Sequence, residues 1–332
     1  MKAGVNLTEK SKIRRTKIKK NEVTNSMKSS SRCRALKDIR SNWDIYLMLI
    51  PGLLFLLIFK YAPMYGVTIA FQDFNIFQGI SGSEWVGLAN FRKLIESEEF
   101  YRVFFNTLII SLYKIIINFP LPIVIALLLN EIACMPYKKT VQTIIYMPHF
   151  LSWIIVGGIF TTILSPSSGL VNQLITALGG ESISFMMSND WFRAILVISA
   201  AWKEVGWGAI IYIAAIAGIE QEIYEAASID GAGKIRKMIS ITLPGLSSTI
   251  ILMLILRLGS VLEAGTEQIL TMYNSVVYET GDVIGTYVYR MGLGKMEYSF
   301  STAVGLFNSV VGFILITLGN FTSRKLLGKS IW

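Results

Sequence analysis

Six long apolar runs constrain the fold of this 332-residue sequence more than any other feature. A helix needs about 20 mainly apolar residues to cross the hydrocarbon core of a bilayer, and each run approaches or exceeds that length. Hydrophobic residues make up 53% of the chain and charged residues only 16%, unlike a soluble enzyme of this size. We therefore predict an all-α membrane protein with six transmembrane helices, at about residues 46–67, 104–129, 143–164, 192–219, 246–262 and 300–321.

Positive charge is concentrated at the amino-terminal end. Residues 1–40 contain 13 of the 31 lysines and arginines but only three acidic residues. A basic segment before an apolar span is typical of a cytoplasmic anchor near anionic lipid, whereas nucleic-acid binding needs a basic face on a folded domain. We therefore expect a basic tail over residues 1–42, a membrane domain over residues 43–332, and no nucleic-acid partner.

The loops between the predicted spans also differ in charge. With the tail inside, the cytoplasmic segments carry 21 lysines and arginines and the opposite loops carry five. The positive-inside rule then predicts a multi-pass protein of the plasma membrane with both termini in the cytoplasm.

The loop between the fourth and fifth spans, residues 219–244, is unusually long. Ile219–Ile229 has the apolar spacing of a helix, Gly231 can adopt the left-handed conformation that ends one, and Lys234–Ile241 predicts a second short helix. We therefore expect a cytoplasmic hairpin with small residues at its centre. Its carboxylates are those of Glu222, Glu225 and Asp230. They could pair with a basic groove on a partner protein, or they could simply keep the loop solvated.

The same hairpin carries a complete sequence motif. Glu225-Ala226-Ala227 is followed after three residues by Gly231, and after nine more by Ile241-Thr242-Leu243-Pro244, which matches EAA-x3-G-x9-I-x-LP at every defined position. The chain thus resembles the membrane subunits of binding-protein-dependent ABC importers. Three further segments are similar to the carbohydrate, LplB-type branch of that family: Trp85–Phe91, Tyr287–Arg290 and Lys329–Trp332.

This resemblance implies a function and a set of partners. The chain would be the permease subunit of an ATP-driven importer that translocates a carbohydrate, specifically an oligosaccharide, by alternating access. Its partners would be a second homologous permease forming a heterodimer, two cytoplasmic ATPase subunits and an extracellular solute-binding lipoprotein. Permeases of this family dock the hairpin into the ATPase, which implies coupling roles for Glu222, Glu225, Ala226, Ala227, Asp230, Gly231, Leu243 and Pro244.

The chain lacks a nucleotide-binding loop of its own. Gly233-Lys234 resembles the end of a Walker A motif, but Ser228 stands where the first glycine is required and Ile235 where Ser or Thr is required. One histidine and two cysteines also exclude a His/Cys metal cluster. We therefore expect a transport subunit and not an enzyme. It would bind no cofactor or metal, and ATP and Mg²⁺ would bind to the partner subunits.

Several charged residues lie inside or next to the predicted spans. A charge at the bilayer centre costs roughly 2.5–3.5 kcal/mol on insertion scales, so these side chains are not expected to face lipid. They could line a polar path in which carboxylates and bases bind sugar hydroxyls and rings stack on sugars, or they could form internal ion pairs beside packing aromatics. The candidate path residues are Trp202, Glu204, Trp207, Tyr212, Arg257 and Glu263.

Other functions compete with this interpretation. The cargo could be another polar solute, such as a sugar phosphate. A secondary transporter would carry its own coupling-ion site and often an internal repeat, and no convincing repeat relates the two halves. An intramembrane enzyme would have only Glu204 and Glu263 for its chemistry.

Overall fold

The computed structural model describes residues 41–327. Nearly all of the predicted basic tail and the Lys329–Trp332 segment therefore lie outside the described residues. The chain divides into two packing units at Gly66. Within the described part, β structure consists of β1 (Gln72–Asp73) and β2 (Glu84–Trp85), which pair antiparallel with Gln72 opposite Trp85.

The first helix spans the division between the two units. It begins as α1 (Trp43–Leu56), continues as a π-helical turn over Leu57–Tyr61, and ends as a 3-10 segment over Ala62–Phe71. Apart from Asp44 and Lys60, its residues are mainly apolar on all sides, as expected of a helix in contact with lipid.

The second unit is built from helices of very different lengths. The α-helices up to the predicted hairpin are α2 (Gly79–Gly82), α3 (Ala89–Glu96), α4 (Glu98–Asn118), α5 (Pro120–Asn130), α6 (Met135–Tyr146), α7 (Trp153–Ile163), α8 (Leu170–Ala177) and α9 (Asn189–Ala217). Those that follow are α10 (Gln221–Ile229), α11 (Lys234–Lys237), α12 (Leu243–Gly245), α13 (Ser247–Gly259), α14 (Thr266–Met272), α15 (Tyr278–Gly281), α16 (Ile284–Tyr289) and α17 (Tyr298–Leu327).

Short 3-10 and π segments connect several of these helices. The 3-10 turns are Met147–Phe150, Phe185–Met187, Val261–Glu263 and Ser275–Val277. The π-helical turns are Met238–Thr242 and Arg290–Gly294.

The apolar runs coincide with these helices. Four helices in the described part are long and apolar enough to cross a membrane: Trp43–Phe71, Glu98–Asn130, Asn189–Ala217 and Tyr298–Lys325. Two further pairs are bent, by 102° between Met135–Phe150 and Trp153–Ile163 and by 58° between Lys234–Gly245 and Ser247–Gly259. The number is six if each bent pair counts as one span. Hydropathy alone did not predict the bends.

The sharper bend is stabilised by a buried lysine on another helix. Leu151 is extended after the 3-10 turn, and the Ser152 hydroxyl accepts a hydrogen bond from the Ile155 N–H at the start of α7. The Lys203 ammonium on α9 donates to the carbonyl oxygens of His149 (2.7 Å) and Leu151 (2.6 Å). Because carbonyls at a helix end lack intrahelical partners, Lys203 satisfies the backbone that the bend exposes.

Helix α9 packs against α4, α5 and the bent α6–α7 pair. At Gly206 it approaches so closely that a Cβ atom would lie 2.1 Å from the carbonyl oxygen of Ile145. Small residues allow helices in membranes to approach in this way. One apolar cluster joins α9 to its neighbours through Ile123, Ala126, Ala209, Tyr212, Ile216 and Leu246.

Candidate coupling hairpin and translocation cavity

The hairpin forms as the sequence predicted, and glycine makes its turn. Helices α10 and α11 are joined through Gly231, whose φ of 74° lies in the left-handed region. The Gly231 N–H donates to the Ser228 carbonyl (3.1 Å), and the Ala232 N–H donates to the Ala227 carbonyl (2.9 Å). These bonds satisfy carbonyls at the end of α10, as in a helix C-cap closed by a left-handed glycine.

Side-chain contacts hold the two arms of the hairpin together. The hydroxyls of Tyr224 and Thr242 form a hydrogen bond of 2.9 Å, and Lys237 donates to the Ser228 hydroxyl at 2.5 Å. Lys234 also pairs with Glu131, just after α5, at 3.8 Å. These contacts therefore connect the two arms of the hairpin to each other and to the residue that follows α5.

The outer surface of the hairpin offers both charge and apolar area. Glu222, Glu225 and Asp230 are exposed, and within the described residues none of them forms an ion pair. Ala226 is exposed and Ala227 half-buried, while Leu243 and Pro244 are exposed at the far end. Two isoleucines flanking the turn are also strongly exposed: Ile229 at 88% and Ile235 at 72%.

These isoleucines are not among the coupling residues that the EAA motif implies. Isolated exposed apolar residues are normal on protein surfaces, but Ile229 and Ile235 lie on the two sides of one turn, beside carboxylates that form no ion pair in residues 41–327. Such a combination is typical of a surface that another protein covers. Their position in the turn of a complete EAA motif is the signal that could have identified them.

Four of the predicted path residues line two neighbouring cavities. Glu204 on α9 and Arg257 on α13 line both of them. The first cavity, of about 160 Å³, is also lined by Ser111, Lys114, Ser260 and Glu263. The second, of about 140 Å³, is also lined by Asn118, Phe119, Pro122, Tyr212 and Met253.

The two predicted tryptophans lie outside the lining of both cavities. Trp207 stacks on His149, with ring centroids 4.4 Å apart and planes at 2°, and Trp202 meets Phe160 at 66°. These contacts match the packing alternative, and a role for either ring in the path stays a prediction.

The charged lining residues do not neutralise one another by direct contact. In residues 41–327, none of Lys114, Glu204, Arg257 or Glu263 forms an ion pair within 4.0 Å. The alternative of internal ion pairs therefore does not describe their arrangement. Charges at membrane depth that line a cavity without a directly paired opposite charge are typical of a transport pathway.

A second polar network joins the segment between α13 and α17 to the long helices. Arg290 pairs with the buried Asp282 and with Glu99 (3.0 Å), and it lies over the Tyr278 and Tyr287 rings. Burial lowers the pKa of the Arg290 guanidinium, but the carboxylates of Asp282 and Glu99 outweigh this effect and leave the pKa raised. The guanidinium therefore stays charged and fixes this segment to α4.

Comparison with known proteins identifies the family. The sequence matches the family described as "Binding-protein-dependent transport system inner membrane component" over residues 118–327. The chain belongs to this family. The resemblance drawn from the EAA motif is thereby confirmed, and the protein is a multi-pass membrane permease.

Relatives of this permease cover almost its whole length. It is 49% identical to LplB of Bacillus subtilis (strain 168) over 86% of this chain and 90% of LplB. It is 44% identical to the polygalacturonan/rhamnogalacturonan transport system permease YteP of the same organism, over 92% of this chain and 95% of YteP. A crystal structure of a bacterial alginate ABC transporter, in complex with its alginate pentasaccharide-bound periplasmic protein, matches with a TM-score of 0.82 and 41% identity, over 89% of this chain and 99% of that chain.

Proposed function

We propose that this permease is one membrane subunit of an ATP-driven importer of oligosaccharides that contain uronic acids. The observation that carries the proposal is its similarity to two carbohydrate permeases, one named for polygalacturonan and rhamnogalacturonan and one for alginate. All three polymers contain sugar carboxylates. The cavity supports this choice because it offers cations for a carboxylate and carboxylates for sugar hydroxyls.

The proposed assembly follows the family. A second, different permease completes the pore, two ATPase subunits bind ATP and Mg²⁺ in the cytoplasm, and an extracellular solute-binding lipoprotein delivers the cargo. This chain itself holds no cofactor. In the proposed topology, six spans put both termini and the hairpin on one side, and the excess of lysine and arginine in those segments assigns that side to the cytoplasm. The periplasmic protein bound to the alginate transporter supports the role of a delivery protein.

The hairpin connects the ATPase to the cavity in this mechanism. It receives the movement of the ATPase through Glu222, Glu225, Ala226, Ala227, Asp230 and Gly231, with Leu243 and Pro244 at its base. Helix α9, which carries Glu204, leads into the hairpin, and α13, which carries Arg257, leaves it. Closure of the ATPase subunits therefore moves two walls of the cavity, and this movement switches access from one side of the membrane to the other.

The proposal is tested first by isolating the complex. The tagged chain is solubilised from its native membrane and purified, and the proteins that accompany it are identified by mass spectrometry. A second permease and an ATPase in comparable amounts are expected. A chain that purifies alone, and that transports in liposomes without ATP, would instead be a secondary transporter.

The cargo is then identified with the complex in liposomes. The binding protein is loaded with oligogalacturonides, alginate oligosaccharides, neutral arabino-oligosaccharides or sugar phosphates, and ATP-dependent uptake is measured for each. Uptake of the first two classes is expected. Uptake of sugar phosphates alone would replace the oligosaccharide assignment with the sugar-phosphate alternative.

A further inference from the structure

Lys114 was not among the candidate path residues, yet it lines the charged cavity from the carboxyl-terminal part of α4. Its side chain is almost completely buried, with the residue 3% exposed. It donates to the carbonyl oxygen of Ala264 (2.9 Å) and to the side-chain oxygen of Gln268. Both acceptors are neutral, so neither supplies the negative charge that a buried ammonium requires.

The backbone that Lys114 holds is unusual. Ala264 and Gly265 lie between α13 and α14 and are both left-handed, with φ of 47° and 81°. A left-handed alanine costs of order 1 kcal/mol and persists only where its surroundings hold it. A Cβ atom on Gly265 would lie 2.5 Å from the Lys114 nitrogen. The lysine therefore packs directly against the break.

The contact continues to a third helix. The Gln268 amide group donates to the carbonyl of Leu196 and to the hydroxyl of Ser199, each at 2.7 Å. Gln268 and Ser199 are completely buried. Lys114, Gln268 and Ser199 thus form one polar chain from α4 to α9, and Lys114 at its α4 end also holds the left-handed break.

An ammonium carries three N–H donors, and the two protein acceptors account for two of them. Arg257 lines the same cavity and forms no ion pair in the described part of the chain. Two cations without a paired carboxylate therefore face one space. Glu204 and Glu263 line that space too and can accept hydrogen bonds from hydroxyls.

We propose that Lys114 is a specificity-determining residue that, with Arg257, binds the carboxylate of a uronic acid residue in the cavity. The sugar hydroxyls bind Glu204 and Glu263, so a uronate matches the mixed charges of the lining. A cargo carboxylate gives Lys114 a charged partner in direct contact, which neither its two neutral acceptors nor the carboxylates of the lining, more than 4.0 Å away, provide. This inference rests on the proposed import of uronic acid oligosaccharides.

The test compares an acid with its ester in the complete importer. A binding protein saturated with tetragalacturonate or with its methyl ester is added to liposomes, and the rate of ATP-dependent uptake is measured for each. Esterification removes the charge but keeps the rings and hydroxyls. The measured quantity is the acid-to-ester ratio of each variant relative to the wild type, because the preference of the binding protein cancels in that comparison.

Lys114→Met is expected to lower the acid-to-ester ratio about tenfold or more, as loss of a charge-assisted hydrogen bond predicts. Lys114→Arg keeps the charge and should retain most of the preference for the acid. The matched control is Lys203→Met, which removes another buried lysine bound to two carbonyls but lines neither cavity. Its ratio should equal that of the wild type even if its uptake is slower.

Each remaining outcome has a distinct meaning. If Lys114→Met slows acid and ester uptake equally, the lysine is structural and the inference is wrong. If that variant does not assemble, Lys114→Gln, which keeps a donor without the charge, provides the same comparison. If the wild type imports only neutral oligosaccharides, the uronic acid cargo and the inference about Lys114 both fail, while ATP-driven carbohydrate import stands. If it imports nothing in an ATP-dependent manner, the proposed function itself fails.

Discussion

Reversal of the hairpin charge by Glu225→Lys should uncouple transport from ATP hydrolysis. Glu225 is exposed and forms no ion pair among the described residues, so its replacement removes no contact that stabilises the fold. The substitution should therefore weaken the binding of the hairpin to the ATPase subunit without destabilising the permease. A hydrogen bond to a charged group contributes roughly 1.5–3 kcal/mol, which corresponds to about ten- to a hundredfold weaker association with the ATPase subunit.

The assay measures three quantities on purified protein: the amount of ATPase that copurifies, the uptake of cargo per ATP hydrolysed, and the thermal stability of the permease. Glu225→Lys should lower the first two and leave the third unchanged. Glu220→Lys is the matched control, because Glu220 is exposed on the same loop but lies outside the motif. Normal copurification and coupling in Glu225→Lys, or equal losses in both variants, would refute a specific docking role for Glu225.

Three further substitutions test the structure. Gly231→Ala should destabilise the hairpin by about 1 kcal/mol because φ is 74°, and faster proteolysis at the turn would report it. Asp282→Asn leaves the half-buried Arg290 with Glu99 as its remaining carboxylate partner and should cost roughly 1.5–3 kcal/mol, measured as a lower melting temperature in detergent. Gly206→Ala forces a methyl group against the Ile145 carbonyl and should cost about 1–3 kcal/mol, measured by the fraction that elutes without aggregation.

The parts of the fold that depend on local sequence could be predicted. Apolar length located the helices, because crossing a bilayer requires a minimum length whatever the neighbours are. The hairpin was also predictable, since helical spacing on both sides of Gly231 and the left-handed preference of glycine are local properties. Its ends differ from the prediction by only a few residues: the second helix ends at Lys237 and continues as a π-helical turn to Thr242.

The bends and the cavity depend on contacts between distant residues. Lys203 stabilises the break after His149 from more than fifty positions away, and Lys114 reaches Gln268 across 154 positions. Contacts between residues so far apart in the chain produce no periodic pattern that a single sequence could reveal. Adjacent lysine and glutamate on α9 look alike in hydropathy, yet Lys203 caps backbone carbonyls while Glu204 lines both cavities. Only the packing of other helices around α9 separates these roles.

Under the proposed mechanism, movement of the hairpin displaces the charged residues that line the cavity. Glu204 lies 13 residues before the end of α9, and Arg257 lies ten residues after the start of α13. At 1.5 Å per residue, the two lever arms are about 20 Å and about 15 Å long. A tilt of about 10° at the hairpin therefore displaces each wall by roughly 3 Å, which is comparable to the width of a hydroxyl group. Because Lys114 holds the Ala264 carbonyl five residues after the end of α13, we expect such a tilt to be absorbed between Gly259 and the left-handed break at Ala264 and Gly265.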